Sequence, residues 1–315
     1  MYIGLDIGGT KCAAVIGSLG ETVEILDKIT FPTADKTPSQ ILSLFSDFIE
    51  EKRKSYKIEG IGIACGGPLD SKKGIIKKPP SLPLWDGIEI VKYFEDKFAI
   101  PTYLKNDADA CAVAEWLYGA GKGTQNMIFI TFGTGFGSGL ILNGKLYSGT
   151  NDNAGEIGHV RLRKNGPVGY NKAGSCEGFC SGSGIRRLAL LEIEKLKKKG
   201  QTPDFLQKIG GEDNVTAKVI AEHARRGDKF CKRIYQISGK MLGETLSILI
   251  DLFNPEKIVI GGVFMRSNDL LYPYAEKVIK KESLIYSQQV VQVVPAQLSE
   301  NIGDVSALAV AKGEV

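Results

Sequence analysis

Short apolar runs alternate along the chain with longer segments whose apolar residues recur at helical spacing. Residues 1–7 are apolar with one acid, and after a Gly-rich turn residues 12–17 predict a returning strand. In residues 39–56 apolar positions recur every three or four residues, which is typical of an amphipathic helix. Residues 74–87 are rich in proline and predict a loop. Further strands are predicted at 58–65, 103–105, 127–132, 140–142, 257–260 and 290–294, and further helices at 88–98, 108–118, most of 184–253 and 305–312.

One arrangement occurs twice in this pattern. A strand, a Gly-rich turn and a second strand follow one another around Asp6 and again around Thr131. Two similar halves, each opening with a Gly-rich hairpin, indicate a duplicated architecture. Because strands and helices are mixed throughout, we predict an α/β fold with sheets covered by helices.

Composition and charge narrow the class of protein. The 315 residues are enough for about two domains, and an apolar fraction of 43% with 24% charged residues is typical of a globular protein. No segment approaches the roughly 20 uncharged apolar residues of a membrane span, so we expect no membrane association. A net charge of +4 is too small for a nucleic-acid footprint. Six scattered cysteines and the absence of a signal peptide lead us to expect reduced thiols and a cytoplasmic location.

The first Gly-rich turn, Asp6-Ile7-Gly8-Gly9-Thr10-Lys11, carries groups that suit a phosphate. Glycines let backbone N–H groups approach a phosphate closely, and Thr10 and Lys11 add a hydroxyl and a cation. Asp6 at the strand end is suited to hold water on Mg²⁺. A tight hairpin with an exposed acid explains the same residues about equally well.

The second Gly-rich turn, around Gly133-Thr134-Gly135, resembles a dinucleotide-binding fingerprint. That fingerprint needs a helix after its glycines, but the apolar run 140–142 predicts a strand, so we exclude it. Two separate glycine hairpins suit the phosphates of a nucleotide. Gly261-Gly262 follows a third strand and is either a close-approach site or an ordinary strand-to-helix turn.

Polar residues elsewhere are candidates for acid–base chemistry and hydroxyl binding. Asp107 is placed to act as a general base, although Asn106-Asp107 also suits a helix N-cap. Glu156 and His159 lie in a polar, irregular segment, and with Glu177 they offer two carboxylates and an imidazole to the hydroxyls of a sugar-like ligand. Local turn bonding is the alternative.

In their order along the chain these motifs resemble the ROK family (repressors, open reading frames, kinases). Each motif is weak alone, but six in order across essentially the whole chain carry the resemblance. They are Asp6-x-Gly-Gly-Thr-Lys11, Gly66-Gly67-Pro68, Asn106-Asp107-Ala108, Gly133-Thr134-Gly135-x-Gly137-x-Gly139, Glu156-x-Gly158-His159 and Gly261-Gly262.

The resemblance implies an actin- or hexokinase-like (ribonuclease H-like) α/β fold with two domains and a cleft between them. We expect a small domain of residues 1–118 plus about 302–315, and a larger one of residues 119–301. The implied activity is glucokinase-like phosphorylation by ATP and Mg²⁺ of a hexose or hexosamine hydroxyl, usually at C6. Because dimers are common in the family, we also expect a homodimer. We expect no nucleic acid as a partner.

The resemblance also implies roles for residues. Asp107 matches the catalytic base, and Asp6 would hold Mg²⁺ through water. The predicted sugar-binding residues are Gly67, Ser81, Asn106, Asp107, Glu156, His159 and Glu177. The predicted nucleotide-binding residues are Asp6, Gly8, Gly9, Thr10, Lys11, Gly133, Thr134, Gly135, Gly261 and Gly262.

Two features depart from the family pattern, the zinc-binding cysteines and one sugar-contacting residue. Many members hold zinc with the Gly-His histidine and three cysteines, but here Val168, Tyr170 and Ser175 occupy the cysteine places, so we expect no structural zinc. Ser81 stands where relatives often have an asparagine that touches the sugar. Because the serine side chain is shorter and has no amide, the identity of the sugar is not fixed. N-acetylmannosamine, N-acetylglucosamine, fructose and a β-glucoside are alternatives to glucose.

Two other function classes are weighed. The family includes repressors with an N-terminal helix-turn-helix, but Asp6 leaves no room upstream for one, so a DNA-binding, sugar-sensing regulator is the less favoured expectation. A catalytically silent sugar sensor or an ATPase of the same fold is the other. Asp107 and both glycine turns argue against that alternative.

Overall fold

The computed structural model describes residues 1–313, with the backbone alone at position 300, and shows a mixed α/β protein. The strands are β1 Tyr2–Ile7, β2 Lys11–Leu19, β3 Val23–Pro32, β4 Gly60–Cys65, β5 Leu69–Asp70, β6 Ile75–Lys77, β7 Asp86–Glu89, β8 Thr102–Asn106, β9 Met127–Phe132, β10 Phe136–Leu142, β11 Lys145–Leu146, β12 Val168–Gly169, β13 Lys172–Ala173, β14 Lys257–Ile260 and β15 Gln292–Pro295. The helices are α1 Pro38–Arg53, α2 Ile90–Phe98, α3 Asp107–Tyr118, α4 Cys176–Cys180, α5 Gly182–Lys197, α6 Asp204–Lys208, α7 Ala217–Arg225, α8 Lys229–Phe253, α9 Val263–Glu282, α10 Ile285–Val290 and α11 Ile302–Val310.

The first sheet has the strand order β3-β2-β1-β4-β8. β1, β4 and β8 run parallel, while β2 and β3 return antiparallel beside β1. β4 is buried along its whole length, as expected for a strand covered on both faces. α11 packs against β1 and β4, where glycines give its backbone room. A Cβ on Gly62 would lie 2.1 Å from the Ala307 carbonyl oxygen.

The second sheet repeats this plan. Its order is β11-β10-β9-β14-β15, so both sheets place their strands, counted along the chain, in the order 3-2-1-4-5. β10 returns antiparallel to β11, and β14 and β15 are parallel. The duplicated architecture predicted from the two Gly-rich turns is therefore confirmed. β10 follows the second turn directly, which confirms the exclusion of a dinucleotide fingerprint.

The chain divides into two compact units. The first comprises Met1–Phe129, Gly139–Ala154 and the described residues from Gln297 onward, and the second comprises Ile130–Ser138 and Gly155–Ala296. The predicted domain limits, 1–118 with 302–315 and 119–301, differ from the limits of these units and stay a prediction. The last two residues of the predicted segment 302–315 lie outside the described residues.

The segment 74–87 is not the continuous loop that its prolines predicted. β6 and the start of β7 lie within it and form a three-stranded sheet with β5. Ile76 in β6 is fully buried, so burial of this side chain favours an extended strand before the prolines begin. Among residues 1–313, no helix combines the length and apolar character needed to cross a bilayer.

Candidate active site

Asp107 lies where β8 passes directly into α3. Asn106 is the N-cap, and its side-chain oxygen accepts a hydrogen bond from the Ala108 N–H at 2.9 Å. Asp107 Oδ1 accepts from the same N–H at 2.8 Å. The N-cap role that the sequence suggested for this pair is therefore filled by Asn106. Asp107 Oδ2 stays available to a ligand.

The Asp107 side chain opens to solvent, yet the protein packed around it removes part of its hydration. This desolvation raises the pKa of Asp107, and the N–H of Ala108 partly offsets the effect by stabilising the carboxylate. A raised pKa makes the carboxylate a better proton acceptor than an ordinary aspartate.

Three parallel strands end beside Asp107. In register, Ile7 of β1 pairs with Cys65 of β4, and Cys65 pairs with Asn106 of β8. The Gly66-Gly67-Pro68 turn therefore begins next to Asn106, and a Cβ on Gly67 would lie 3.0 Å from the Asn106 Nδ2 atom. The carboxyl ends of adjacent parallel strands are the usual place for a ligand in an α/β sheet.

Asp6 lies near the end of β1 and has an unusual electrostatic setting. Burial, and then the carboxylates of Asp107 and Asp304, raise the pKa of Asp6 to about 6. The ammonium groups of Lys11 and Lys28 oppose this rise. Lys28 Nζ is itself held by Asp304 at 2.6 Å.

The donor set around Asp6 fits Mg²⁺ bound partly through water. Nearby carboxylates repel one another, and a divalent cation relieves that repulsion. Within the described part of the chain, no three His, Cys, Asp or Glu side chains form a group able to hold a metal. An ion at Asp6 would therefore take most of its ligands from water and from phosphate oxygens, as Mg²⁺ commonly does.

The first Gly-rich turn is the hairpin between β1 and β2. It closes with a hydrogen bond from the Gly8 N–H to the Lys11 carbonyl at 3.1 Å, which leaves Thr10 and Lys11 exposed. A Cβ on Gly9 would lie 2.6 Å from the Ser81 Cβ. The fold thus brings Ser81, predicted as a sugar ligand, against the predicted phosphate-binding turn.

In the second unit the Gly133–Gly135 turn joins β9 to β10. Glu177 Oε2 accepts a hydrogen bond from the Phe136 N–H at 3.1 Å. A Cβ on Gly135 would lie 2.9 Å from the same oxygen, so only glycine leaves this carboxylate in place. The Ser183 hydroxyl donates to the Thr134 carbonyl at 2.6 Å. The turn is therefore fixed by side chains from 177–183.

Gly261-Gly262 packs against the start of the same turn. The Gly261 N–H donates to the Ile130 carbonyl at 2.9 Å. Gly262 has φ of 67°, and a Cβ there would lie 2.2 Å from the Phe132 carbonyl oxygen. Two motifs more than 120 residues apart in the sequence are thus neighbours in the second unit.

A single turn of 3-10 helix, Ile157–His159, follows Glu156 directly. Ile157 and Gly158 are buried, whereas Glu156 and His159 are exposed. The His159 ring meets the Tyr170 ring edge to face, with centroids 5.7 Å apart. A Cβ on Gly158 would lie 3.6 Å from the Glu177 Cβ. The backbone between Glu156 and His159 therefore lies against Glu177 at Gly158.

The segment that holds zinc in many relatives is organised here by other groups. Val168 and Tyr170 are 46% and 57% exposed. Ser175 is buried and caps α4 by accepting from the Gly178 N–H at 3.2 Å. The expectation that the protein holds no structural zinc stays a prediction.

Sequence reasoning missed two buried carboxylates in α3. Asp109 accepts a hydrogen bond from the Ser148 hydroxyl at 2.8 Å. Glu115 is fully buried and accepts the backbone N–H groups of Ala120 and Leu298, each at 2.8 Å, and of Gln297 at 3.2 Å. The available signal was an acid within an apolar run, since Asp109 lies between two buried alanines and Glu115 lies between Trp116 and buried Ala114.

Comparison with known proteins decides the family. The ROK family profile matches residues 2–314. The chain belongs to the ROK family. The resemblance inferred from the six motifs is confirmed.

Individual ROK proteins align along nearly all of the chain. A glucokinase from Streptomyces coelicolor is 30% identical, and the alignment covers 99% of this chain and 98% of the relative. A crystal structure of a ROK family glucokinase from Streptomyces griseus, in complex with glucose and AMPPNP, is 28% identical with a TM-score of 0.78 and covers 99% of both chains. The predicted actin- and hexokinase-like α/β fold is confirmed.

ROK transcriptional regulators also share this fold. A ROK regulator homologous to the E. coli MLC protein superposes with a TM-score of 0.84 at 25% identity. The superposition covers 98% of this chain but 77% of the regulator. The family thus contains both enzymes and regulators with the architecture described above.

Proposed function

We propose that the protein transfers the γ-phosphoryl group of ATP to a hydroxyl of a hexose or hexosamine, most readily the C6 hydroxyl of glucose. The chain is an ATP-dependent sugar kinase by family, and glucokinases from Thermotoga maritima and Streptomyces coelicolor align along nearly all of it. The substrate and the residues that act are the parts proposed here.

The observation that carries the proposal is the setting of Asp107. Its neighbour Asn106 caps α3, desolvation by the protein packed around it raises the pKa of Asp107, and three strands end around it. In the proposed reaction the sugar oxygen forms a bond to the γ-phosphorus, the bond to the ADP oxygen breaks, and the hydroxyl proton passes to Asp107. A carboxylate with a raised pKa is suited to take that proton.

The Gly-rich turns are proposed to hold the phosphates. The backbone N–H groups of Gly8 and Gly133 already donate to the Lys11 and Gly135 carbonyls within the two turns. Those of Gly9 and Thr10, and of Thr134 and Gly135, can donate to phosphate oxygens, and Lys11 adds a positive charge. Gly261 and Gly262 are proposed to contact the adenosine. Bound Mg²⁺ would neutralise charge on the phosphates, and Asp6 would orient its water ligands.

The sugar is proposed to contact Gly67, Ser81 and Asn106, with Asp107 at the reacting hydroxyl. Glu156, His159 and Glu177 are proposed as further sugar ligands. Carboxylates that accept from hydroxyl groups, and an imidazole and an amide that also donate, form the donor and acceptor set that a polyhydroxylated ligand requires.

A panel of sugars tests the proposal. ADP release from Mg-ATP is measured with glucose, mannose, fructose, N-acetylglucosamine, N-acetylmannosamine and a β-glucoside, each against a blank without sugar. We expect strong stimulation by one hexose, with glucose the first candidate. ADP release that no sugar changes would contradict a sugar kinase. If calorimetry detects sugar binding but no ADP is released, the protein would be a catalytically silent sugar sensor.

Two further properties are proposed, a cytoplasmic location and a homodimeric state. All six cysteines are free thiols, which suits a reducing cytoplasm. A homodimer stays a prediction, and light scattering coupled to size-exclusion chromatography tests it through the mass in solution.

A further inference from the structure

A polar cavity of about 390 Å³ lies in the first unit, and its lining includes none of the residues predicted to bind ATP or sugar. Its walls are the turn between β5 and β6, the first two turns of α2, and β8. This volume is within the range of small-molecule sites in proteins. We call it the lysine pocket, and its charged lining residues are Lys72, Lys73, Lys92, Lys105 and Glu95.

The charge of the lysine pocket is strongly one-sided. Four lysines against one glutamate leave a net charge of +3 in the lining, whereas the whole chain carries only +4. Glu95 accepts a hydrogen bond from the Thr102 N–H at 3.2 Å, so its negative charge is partly engaged. Concentrating like charges around a concave surface raises the local concentration of a ligand of opposite sign.

Nearby carboxylates do little to neutralise these lysines. Lys92 reaches Glu89 only at 3.8 Å, with both side chains more than half exposed, and such pairs are weak. Asp70 is held by Lys77 Nζ at 3.0 Å and by the Lys73 backbone N–H at 3.1 Å. In the described residues no carboxylate lies within ion-pair distance of the Lys72, Lys73 or Lys105 ammonium groups. Lys73 and Lys105 do act at longer range on the carboxylates of Asp70 and Asp109, whose pKa values they lower. The charge most available to a ligand is therefore that of Lys72 and of the weakly paired Lys92.

We propose that the lysine pocket binds a small anion carrying a phosphate group. A phosphate carries a charge near −2 at neutral pH and three acceptor oxygens, which fit several lysine ammonium groups at once. Lysine acts on phosphate as a point charge, so no fixed fork geometry is required. The ligand is either the free ion or a phosphorylated metabolite, since both offer this group.

The pocket adjoins the strand that carries the predicted base. Lys105 is in β8 and is followed directly by Asn106 and Asp107. Ser71, also in the lining, donates through its backbone N–H and its hydroxyl to Asp152 at 2.8 and 2.7 Å. Binding itself requires only the lysines, so the proposal stands apart from the proposed kinase activity.

Calorimetric titration of matched charge variants tests the proposal. Inorganic phosphate and glycerol 3-phosphate are titrated at low ionic strength, with saturating AMPPNP to occupy the Gly-rich turns. The pocket variant is Lys72→Gln with Lys92→Gln. The control is Lys195→Gln with Lys198→Gln, two exposed lysines of the second unit whose loss changes the net charge equally.

We expect the wild type and the control to bind the anion alike, and the pocket variant to bind about tenfold more weakly. Tighter binding of glycerol 3-phosphate than of phosphate would identify a metabolite site, and equal binding would identify the free ion. Equal affinity in the pocket and control variants, or no measurable binding to the wild type, would overturn the proposal.

Discussion

Asp109 is a buried carboxylate in the first turn of α3, and its titration predicts how the stability of the protein changes with pH. Burial raises the pKa of Asp109 to about 7, and the nearby carboxylates of Asp152 and Asp107 add to the rise. The Ser148 hydroxyl and Lys105 oppose it. The perturbation is Asp109→Asn, which removes the titration and keeps an oxygen that can accept from Ser148.

The sign of the effect follows from proton linkage. Between pH 4 and 7 folded Asp109 binds a proton that the unfolded chain has released, so folding is favoured at low pH and this contribution is lost as pH rises through 7. From the folded pKa of about 7 and the ordinary aspartate pKa of 3.8 in the unfolded chain, the loss between pH 5 and 8 is roughly 2.5 kcal/mol. Asp109→Asn has no such loss.

Urea unfolding of the wild type and of Asp109→Asn at pH 5 and pH 8 measures the difference. We expect the variant to gain roughly 2.5 kcal/mol on the wild type between the two conditions. Asp6 titrates in the same direction in both proteins and cancels in the comparison. Asp96→Asn, an exposed acid in α2, is the matched control and should follow the wild type. Parallel stability curves for Asp109→Asn and the wild type would refute the reasoning.

Three further predictions follow from packing and composition. Glu115→Gln places an amide against backbone donors inside the fold and should lower the free energy of unfolding by about 3 kcal/mol in urea titration, and an unchanged midpoint would contradict this role. Gly62→Ala puts a Cβ 2.1 Å from the Ala307 carbonyl oxygen, so we expect little folded protein by circular dichroism, and a native melting curve would show that α11 can shift. Elemental analysis of protein purified without chelator should find no zinc, and a near-stoichiometric amount would refute that expectation.

Local features were the ones that the sequence predicted well. The turns at Gly8 and Gly133 join neighbouring strands, so their glycines and flanking apolar runs were enough to place both hairpins. The repeated pattern around those turns also predicted a duplicated architecture, which the shared strand order of the two sheets confirms. The loop predicted at 74–87 was wrong because buried Ile76 favours a strand more than the adjacent prolines favour a turn.

Long-range partners lay beyond sequence reasoning. Two of the three backbone donors to Glu115 are 182 and 183 residues away, and Asp109 accepts from Ser148, 39 residues away. Glu177 was predicted as a sugar ligand, but its hydrogen bond to the Phe136 N–H, 41 residues away, was not foreseen. Such pairs depend on how the sheets and helices pack, and no motif spacing encodes them.

The central claim is that Asp107 takes the proton from the sugar hydroxyl. The most direct test measures sugar-stimulated ADP release for Asp107→Asn, with Asp96→Asn as control and with sugar affinity determined by calorimetry. The account predicts a fall in kcat of about 10²-fold or more for Asp107→Asn, with sugar affinity changed only a few-fold and the control unaffected. A kcat close to that of the wild type would contradict the claim.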